Sequence, residues 1–354
     1  MFDTLPNSQQ DFYTTVLTAA IHSLKINTYL DNYDALRFNL DGKDHSMEFD
    51  SNARAFYFDW FFKHHPGLFD AYQQLADDSS RRLYLYLIAF RLAGHHSIRL
   101  PLSFAARKAE WEEFCAFEAR SSEESLLPLS GMFGKLRHYD FEYEGSRYIV
   151  DCLKLEYYLF RRQYFYSDNG INIAPEPGDA VIDGGACLGD TALVFSNAVG
   201  PKGKVYSFDP VAEHLEVLRH NISQFPHKNV QAMPYGLSDK NESHPPLVLN
   251  QYAPGFKAKD QQVPLRSIDN LVMFGEIDRI NFIKLDIEGA EYEALKGARE
   301  SINRFKPKLA ISLYHKPNDI YELIRYVRNE HPFYRLHLGH YTVHQEETVL
   351  YCAA

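Results

Sequence analysis

The chain has 354 residues, and 37 Lys and Arg against 47 Asp and Glu give a formal net charge of −10 with His neutral. A 45% hydrophobic, 24% charged composition is that of an ordinary globular protein, which excludes a collagen-like fibre, a disordered acidic tail and a polytopic membrane protein. An acidic chain without a dense Lys/Arg run repels a phosphate backbone, so small substrates or neutral glycans are expected as partners and nucleic acid is not.

From Asp11 to about Gly94 the apolar residues recur at three and four, as in Phe56, Trp60, Phe61 and then Leu68, Tyr72, Leu75, which is helical spacing. Asp77-Asp78-Ser79-Ser80 reads as a helix start and Gly94 as its stop. The apolar run Leu83 to Phe90 between them ends at Arg91, far short of the roughly 20 residues that span a bilayer. Ala105 to Arg120 reads as a further helix, and Glu142 to Tyr148 as a small hairpin turning at Glu144-Gly145.

After about Ser167 short apolar runs alternate with longer helical stretches, the pattern of βαβ units and a mostly parallel sheet. Strands are expected at Ala180–Asp183, Lys204–Phe208, Val230–Tyr235, Ile280–Asp286, Lys308–Tyr314, Phe333–Leu338 and Thr348–Cys352. The last two are joined by a loop too short for a crossover, so the final strand should be antiparallel. Cys115, Cys152, Cys187 and Cys352 stand far apart with no C-x-x-C pair, and the start Met1-Phe2-Asp3-Thr4-Leu5-Pro6 has no signal-peptide pattern; a reducing, cytoplasmic setting is expected.

The most informative segment runs from Pro177 to Thr191, where a strand ends in a turn and a helix begins. Glycines there permit φ > 0 and close approach to the backbone, and the helix start offers free N–H groups. As a G-x-G-x-x-G fingerprint from Gly184 it is imperfect, because Ala186 takes the middle position. As acidic-x-G-x-G-x-G it fits at Asp183, Gly185 and Gly189, with Cys187 in place of the middle glycine. That second pattern is one of S-adenosylmethionine sites, in which the acid faces the methionine end. Gly203-Lys204-Val205 lacks the spacing of a P-loop. The next strand ends at Asp209, suited to ribose hydroxyls or to capping the helix that follows. Asp239, after the third strand, suits an adenine amine or a simple Asx-turn.

Together these segments resemble the FkbM family of S-adenosylmethionine-dependent O-methyltransferases. The resemblance runs from roughly Arg137 to Ala354 and is carried by Gly178 to Ala186, Gly203 to Asp209, Leu309 to His315 and most specifically Lys284-Leu285-Asp286-Ile287-Glu288-Gly289-Ala290-Glu291. It implies an α/β fold of the class I, Rossmann-like methyltransferase type: a seven-stranded, mostly parallel sheet in order 3-2-1-4-5-7-6. It also implies methyl donation from S-adenosylmethionine to a hydroxyl, often on a sugar or a natural product, as in polysaccharide biosynthesis. Residues 1–136 form a mainly helical N-terminal region expected to supply substrate contacts, a lid or an oligomer surface, or simply a stabilising cap; residues 137–354 form the cofactor-binding domain.

On that reading Asp183, Gly184, Gly185 and Gly189 hold the methionine part, Asp209 the ribose and Asp239 the adenine. Ligands of open α/β sheets bind at the carboxyl ends of the strands, so the candidate proton acceptors are Asp286, Glu288 and His315; some of the acidity around Glu288 and Glu291 is expected structurally at a helix start. Lys284 is expected to pair with a carboxylate or orient the substrate, and Tyr314, His340 and His344 are further substrate candidates, the two histidines on one strand face by alternation. The segment Gln163 to Ser167 would cover the cofactor with an aromatic ring or pack between the halves. No distinctive metal motif is present and no metal is assigned, although Asp286, Glu288, His315, His340 and His344 could supply oxygen and nitrogen ligands in a metal-dependent variant. Two rivals stay open: a non-catalytic binding module on this scaffold, and an NAD-dependent oxidoreductase, which Ala186 and the Lys284 to Glu291 block disfavour.

Overall fold

In the computed structural model, residues 1–26, 28–32, 51–103, 108–127, 135–168, 170–242 and 264–354 are described. In chain order the elements begin with helices α1 (Gln9–Ile26), α2 (Ser51–Gln74), α3 (Asp78–Ala93) and α4 (Lys108–Arg120). Strands β1 (Ser122–Glu124), β2 (Arg137–Tyr143) and β3 (Ser146–Cys152), helix α5 (Glu156–Leu159), and strands β4 (Tyr166–Asp168) and β5 (Ile171–Ile173) follow. The alternating part is β6 (Ala180–Gly184), α6 (Asp190–Val199), β7 (Lys204–Phe208), α7 (Ala212–Gln224), β8 (Val230–Met233), β9 (Gly236–Leu237), β10 (Leu265–Arg266) and α8 (Ile268–Met273). It closes with β11 (Phe282–Leu285), α9 (Glu291–Lys296), α10 (Arg299–Phe305), β12 (Lys308–Ser312), α11 (Asp319–Glu330), β13 (Arg335–His340) and β14 (Thr348–Ala353).

Seven strands form the main sheet in the order β13-β14-β12-β11-β6-β7-β8. Counted along the chain this is 3-2-1-4-5-7-6, the order the resemblance implied. The pairs of β6 with β7, β7 with β8, β11 with β6 and β12 with β11 are parallel. Residues 341–347 are too few for a crossover, so β14 runs antiparallel. The expected hairpin is there too: Glu144 and Gly145 both have positive φ, 48° and 77°, the two-residue turn that matches strand twist.

The chain separates into two compact units, Met1–Ala105 with Leu313–Tyr351, and Ala106–Ser312 with Cys352–Ala354. In the first, α1 packs on α3, and α2 packs on both α3 and α11. The buried face of α1 is Phe12, Val16 and Ala20, the spacing of one helical stripe. Asp77 caps α3 by accepting from the Ser80 N–H at 2.7 Å, and Gly94, with φ 85°, ends it. The expected helix at Ala105 to Arg120 begins at Lys108; positions 105–107 lie outside the described residues.

In the second unit β6 is buried at every position, as a central parallel strand flanked by helices must be. Parallel register aligns Lys284 of β11 with Asp183 of β6, and Asp183 with Ser207 of β7. Three polar side chains therefore stand side by side in one row across three apolar strands. This row positions the candidate site.

Candidate functional site

A lysine inside a sheet survives only if its charge is met. Lys284 is 1% exposed; its Nζ lies 3.2 Å from Asp183 Oδ1 and donates to the Gly185 carbonyl at 2.8 Å. Asp183, 0% exposed, also accepts from the Thr191 hydroxyl at 3.0 Å and from the Ser207 hydroxyl at 3.5 Å. Burial acts to lower the proton affinity of Lys284, but the carboxylates of Asp183, Asp286 and Asp190 outweigh it and hold the group above the ordinary lysine value. Lys284 thus does pair with a carboxylate, and its ammonium is turned inward to the turn. Asp183 likewise points into the protein, where it joins β6, α6, β7 and β11 from beneath the glycine turn.

The turn itself is shaped by close packing. Gly185 has φ 79°, and a Cβ there would stand 1.8 Å from the Asp286 carbonyl oxygen, so only glycine lets the two strand ends meet. Cys187 takes φ 45°, and its N–H donates to Asp209 Oδ2 at 3.0 Å. Gly189, φ 98°, leads into α6. The first residue of α6, Asp190, is half-buried; burial pushes its carboxyl up to about 6, against the downward pull of the Thr191 N–H and of Lys284.

Asp286 follows β11 directly, and its N–H donates to the Gly184 carbonyl at 3.1 Å. Its carboxylate accepts the Tyr164 hydroxyl at 2.7 Å. Glu288 is exposed, with φ 56°, next to Gly289 at φ 92°, a left-handed pair that turns the chain into α9. Glu291 is 1% exposed and accepts the Ile287 N–H at 2.8 Å, so part of this acidity serves the turn, as expected for a helix start.

Asp209, at the end of β7, is 4% exposed and accepts from the Val211 N–H at 2.8 Å and lies 3.2 Å from His214 Nδ1. It caps the start of α7 as well as tying down Cys187. Asp239 pairs with Lys296 at 2.5 Å, and the hydrogen bond from that ammonium holds its carboxyl below the ordinary value.

Tyr314, His315, His340 and His344 belong to the first unit. Tyr314 donates to Glu347 at 3.4 Å, and its ring lies 4.2 Å from that of His315. His340 ends β13, fully buried, with Nδ1 2.9 Å from the Thr348 hydroxyl. His344 lies in the connection 341–347 with its ring 5.2 Å from His95, so strand alternation does not relate it to His340; the strand stops before it.

The structure therefore gathers Asp183, Gly185, Lys284 and Asp286 around one point in the second unit. It adds Asp190, Thr191 and Ser207, which were assigned no site role from sequence, and Tyr164, from the segment expected to cover the cofactor with an aromatic ring or to pack between the halves. Asp190 carried a signal, an acid directly after the last glycine at a helix start. Tyr164 carried only the aromatic signal of its segment, and its contact with Asp286 goes with a backbone φ of 73° that sequence does not show.

Residues 183–336 match the Methyltransferase FkbM domain. These residues are thus similar to the FkbM methyltransferases. A curated relative, the hexuronic acid methyltransferase AglP of Haloferax volcanii, is 30% identical over 135 residues, covering 36% of this chain and 54% of that protein. The chain thus spans about half the length of the curated relative it matches. The crystal structure of an FkbM methyltransferase from Methylobacillus flagellatus KT superimposes with a TM-score of 0.51 and 22% identity over 82% of this chain and 59% of that one. That likeness establishes the class I methyltransferase fold for the FkbM domain and the elements around it.

Proposed function

We propose that the protein is an S-adenosylmethionine-dependent O-methyltransferase acting on a hydroxyl of a saccharide or glycan precursor. The observation that carries the reading is the charge balance at the strand ends: one ammonium, Lys284, stands among the carboxylates of Asp183, Asp286 and Asp190 within the FkbM domain. Such an excess of negative charge suits a cationic ligand, and S-adenosylmethionine brings a sulfonium and an ammonium. The residues present fit this cofactor: the turn after β6 and the start of α6 lie beside these acids, and Asp209 and Asp239 stand after the next two main-sheet strands for ribose and adenine. When bound, the cofactor supplies an electrophilic methyl carbon on sulfur.

Asp183 and Lys284 act from below, holding the turn rigid so that the ligand meets a preformed surface. Asp286, partly exposed at the end of β11, is the group assigned to take the acceptor's proton. Asp286 would accept the proton of the acceptor hydroxyl, and the bound cofactor would supply the methyl carbon for that oxygen. A positioned base of this kind contributes on the order of 10²- to 10⁴-fold. The name of the curated relative, a hexuronic acid methyltransferase, favours a sugar acceptor. No helix among the described residues is long and apolar enough to cross a membrane, and four cysteines without a disulfide fit a cytoplasmic setting.

Calorimetric titration of the pure protein with S-adenosylhomocysteine, followed by transfer of labelled methyl from S-adenosylmethionine to free uronic acids and their glycosides, tests the proposal. Binding and labelling of a sugar are expected. A folded protein that binds neither cofactor form defeats it.

A further inference from the structure

The FkbM reading leaves Tyr164 without a task, although its hydroxyl makes one of the best-formed side-chain hydrogen bonds in the second unit. Tyr164 is 1% exposed and donates to Asp286 Oδ2 at 2.7 Å. The phenol oxygen in turn accepts from Gln163 Nε2 at 3.1 Å, and Gln163 is itself 1% exposed. With its oxygen accepting from that amide, the phenol has its proton directed at the carboxylate, so the bond has a fixed sense. The ring also lies over the Lys284 ammonium, 5.3 Å from Nζ to centroid.

The backbone adds an independent observation. Tyr164 has φ 73° and Arg162 φ 54°. A bulky side chain in the left-handed region costs about 1–3 kcal/mol and persists only where its surroundings dictate it. Packing accounts for the ring, which stacks on Tyr158 at 6.2 Å and lies 6.3 Å from Phe195. It does not account for the hydroxyl, since a phenylalanine would fill the same space.

Resting on the assignment of Asp286 as proton acceptor, we infer that Tyr164 is its positioning residue, holding the carboxylate in one orientation for proton transfer. The charged groups shown beside that carboxylate within the unit are Lys284 of β11 and Glu291 at the start of α9, and Asp183 of β6 and Asp190 of α6 act on the same lysine. Removing the phenol leaves all of them in place and takes away one donor to the charged form of Asp286, so the carboxylate should hold its proton to higher pH.

The test is a ¹³C-carboxyl NMR titration of the full-length protein without cofactor, with the Asp286 signal assigned by its loss in Asp286→Asn. In Tyr164→Phe the Asp286 midpoint should rise by about one pH unit, with thermal stability close to wild type. In Gln163→Leu, which weakens the phenol as a donor and leaves the ring in place, a smaller rise in the same direction is expected. Midpoints unchanged within about 0.2 units in both variants overturn the inference, and should Tyr164→Phe fail to fold, the Gln163→Leu titration alone decides. S-adenosylhomocysteine binding by the wild type, measured separately, reports on methyl transfer; its absence sinks that reading without altering the titration outcome.

Discussion

Lys284 and Asp183 are register partners on adjacent parallel strands, and their side chains form an ion pair with 1% and 0% side-chain exposure. The pair lies directly beneath the glycine turn, and Lys284 reaches that turn as a donor to Gly185 O.

Replacing one partner of such a pair strands the other. Lys284→Met should lower unfolding stability by about 3–5 kcal/mol, since Asp183 would be left buried without its cation. The double variant Lys284→Met with Asp183→Asn should recover a good part of that loss. Urea denaturation of the three proteins checks both statements; a Lys284→Met loss below about 1 kcal/mol contradicts them.

Two glycines with similar φ should behave very differently. Gly185 (φ 79°) would place a Cβ 1.8 Å from the Asp286 carbonyl, whereas Gly275 (φ 74°) has nothing within 4 Å. Gly275→Ala therefore meets only the left-handed backbone penalty of about 1–2 kcal/mol. Gly185→Ala must also push the β11 end away, and should fail to fold or lose cofactor binding altogether. Expression level, circular dichroism and S-adenosylhomocysteine calorimetry separate the two.

Asp190 sets a pH dependence. Burial raises its folded carboxyl to about 6 from 3.8, so the folded state binds the proton more tightly than the unfolded one. The stability this contributes is complete below pH 3.8 and is lost as pH rises through about 6. Asp190→Asn, whose amide oxygen can still accept from the Thr191 N–H, should remove that decline. Stability curves of both proteins across the interval from pH 4 to 7 should converge at the acid end and diverge above it, the variant being the more stable.

Asp209 joins a capping role to a proposed ligand role. Asp209→Ala takes acceptors from Cys187 N and Val211 N, which should cost about 1–2 kcal/mol of stability. It should also weaken S-adenosylhomocysteine binding by at least about tenfold, as loss of a charged acceptor for two hydroxyls does. Calorimetry at a temperature where the variant is fully folded keeps the two effects apart, and unchanged affinity removes the ribose assignment.

Much of this protein was legible in the amino-acid order. Strand spacing gave the main sheet and the antiparallel return, because a short connector after β13 permits nothing else. The helix limits at Asp77 and Gly94, the turn at Glu144-Gly145 and the acidic-x-Gly-x-x-x-Gly bend after β6 were also legible, since each depends on backbone preferences of a few neighbouring residues. The acids at the ends of β6, β7 and β11 could be placed on one sheet edge for the same reason.

What sequence did not determine was the direction in which those acids point. Asp183 and Asp286 look equivalent as strand-end carboxylates, yet the first is buried in a row with Lys284 and Ser207 and the second is partly exposed against Tyr164. That difference follows from register between strands distant in the chain, together with a left-handed backbone at Tyr164 that no composition announces. Local preference selects the elements, and only the packing of remote segments decides which charges face one another and which face a ligand.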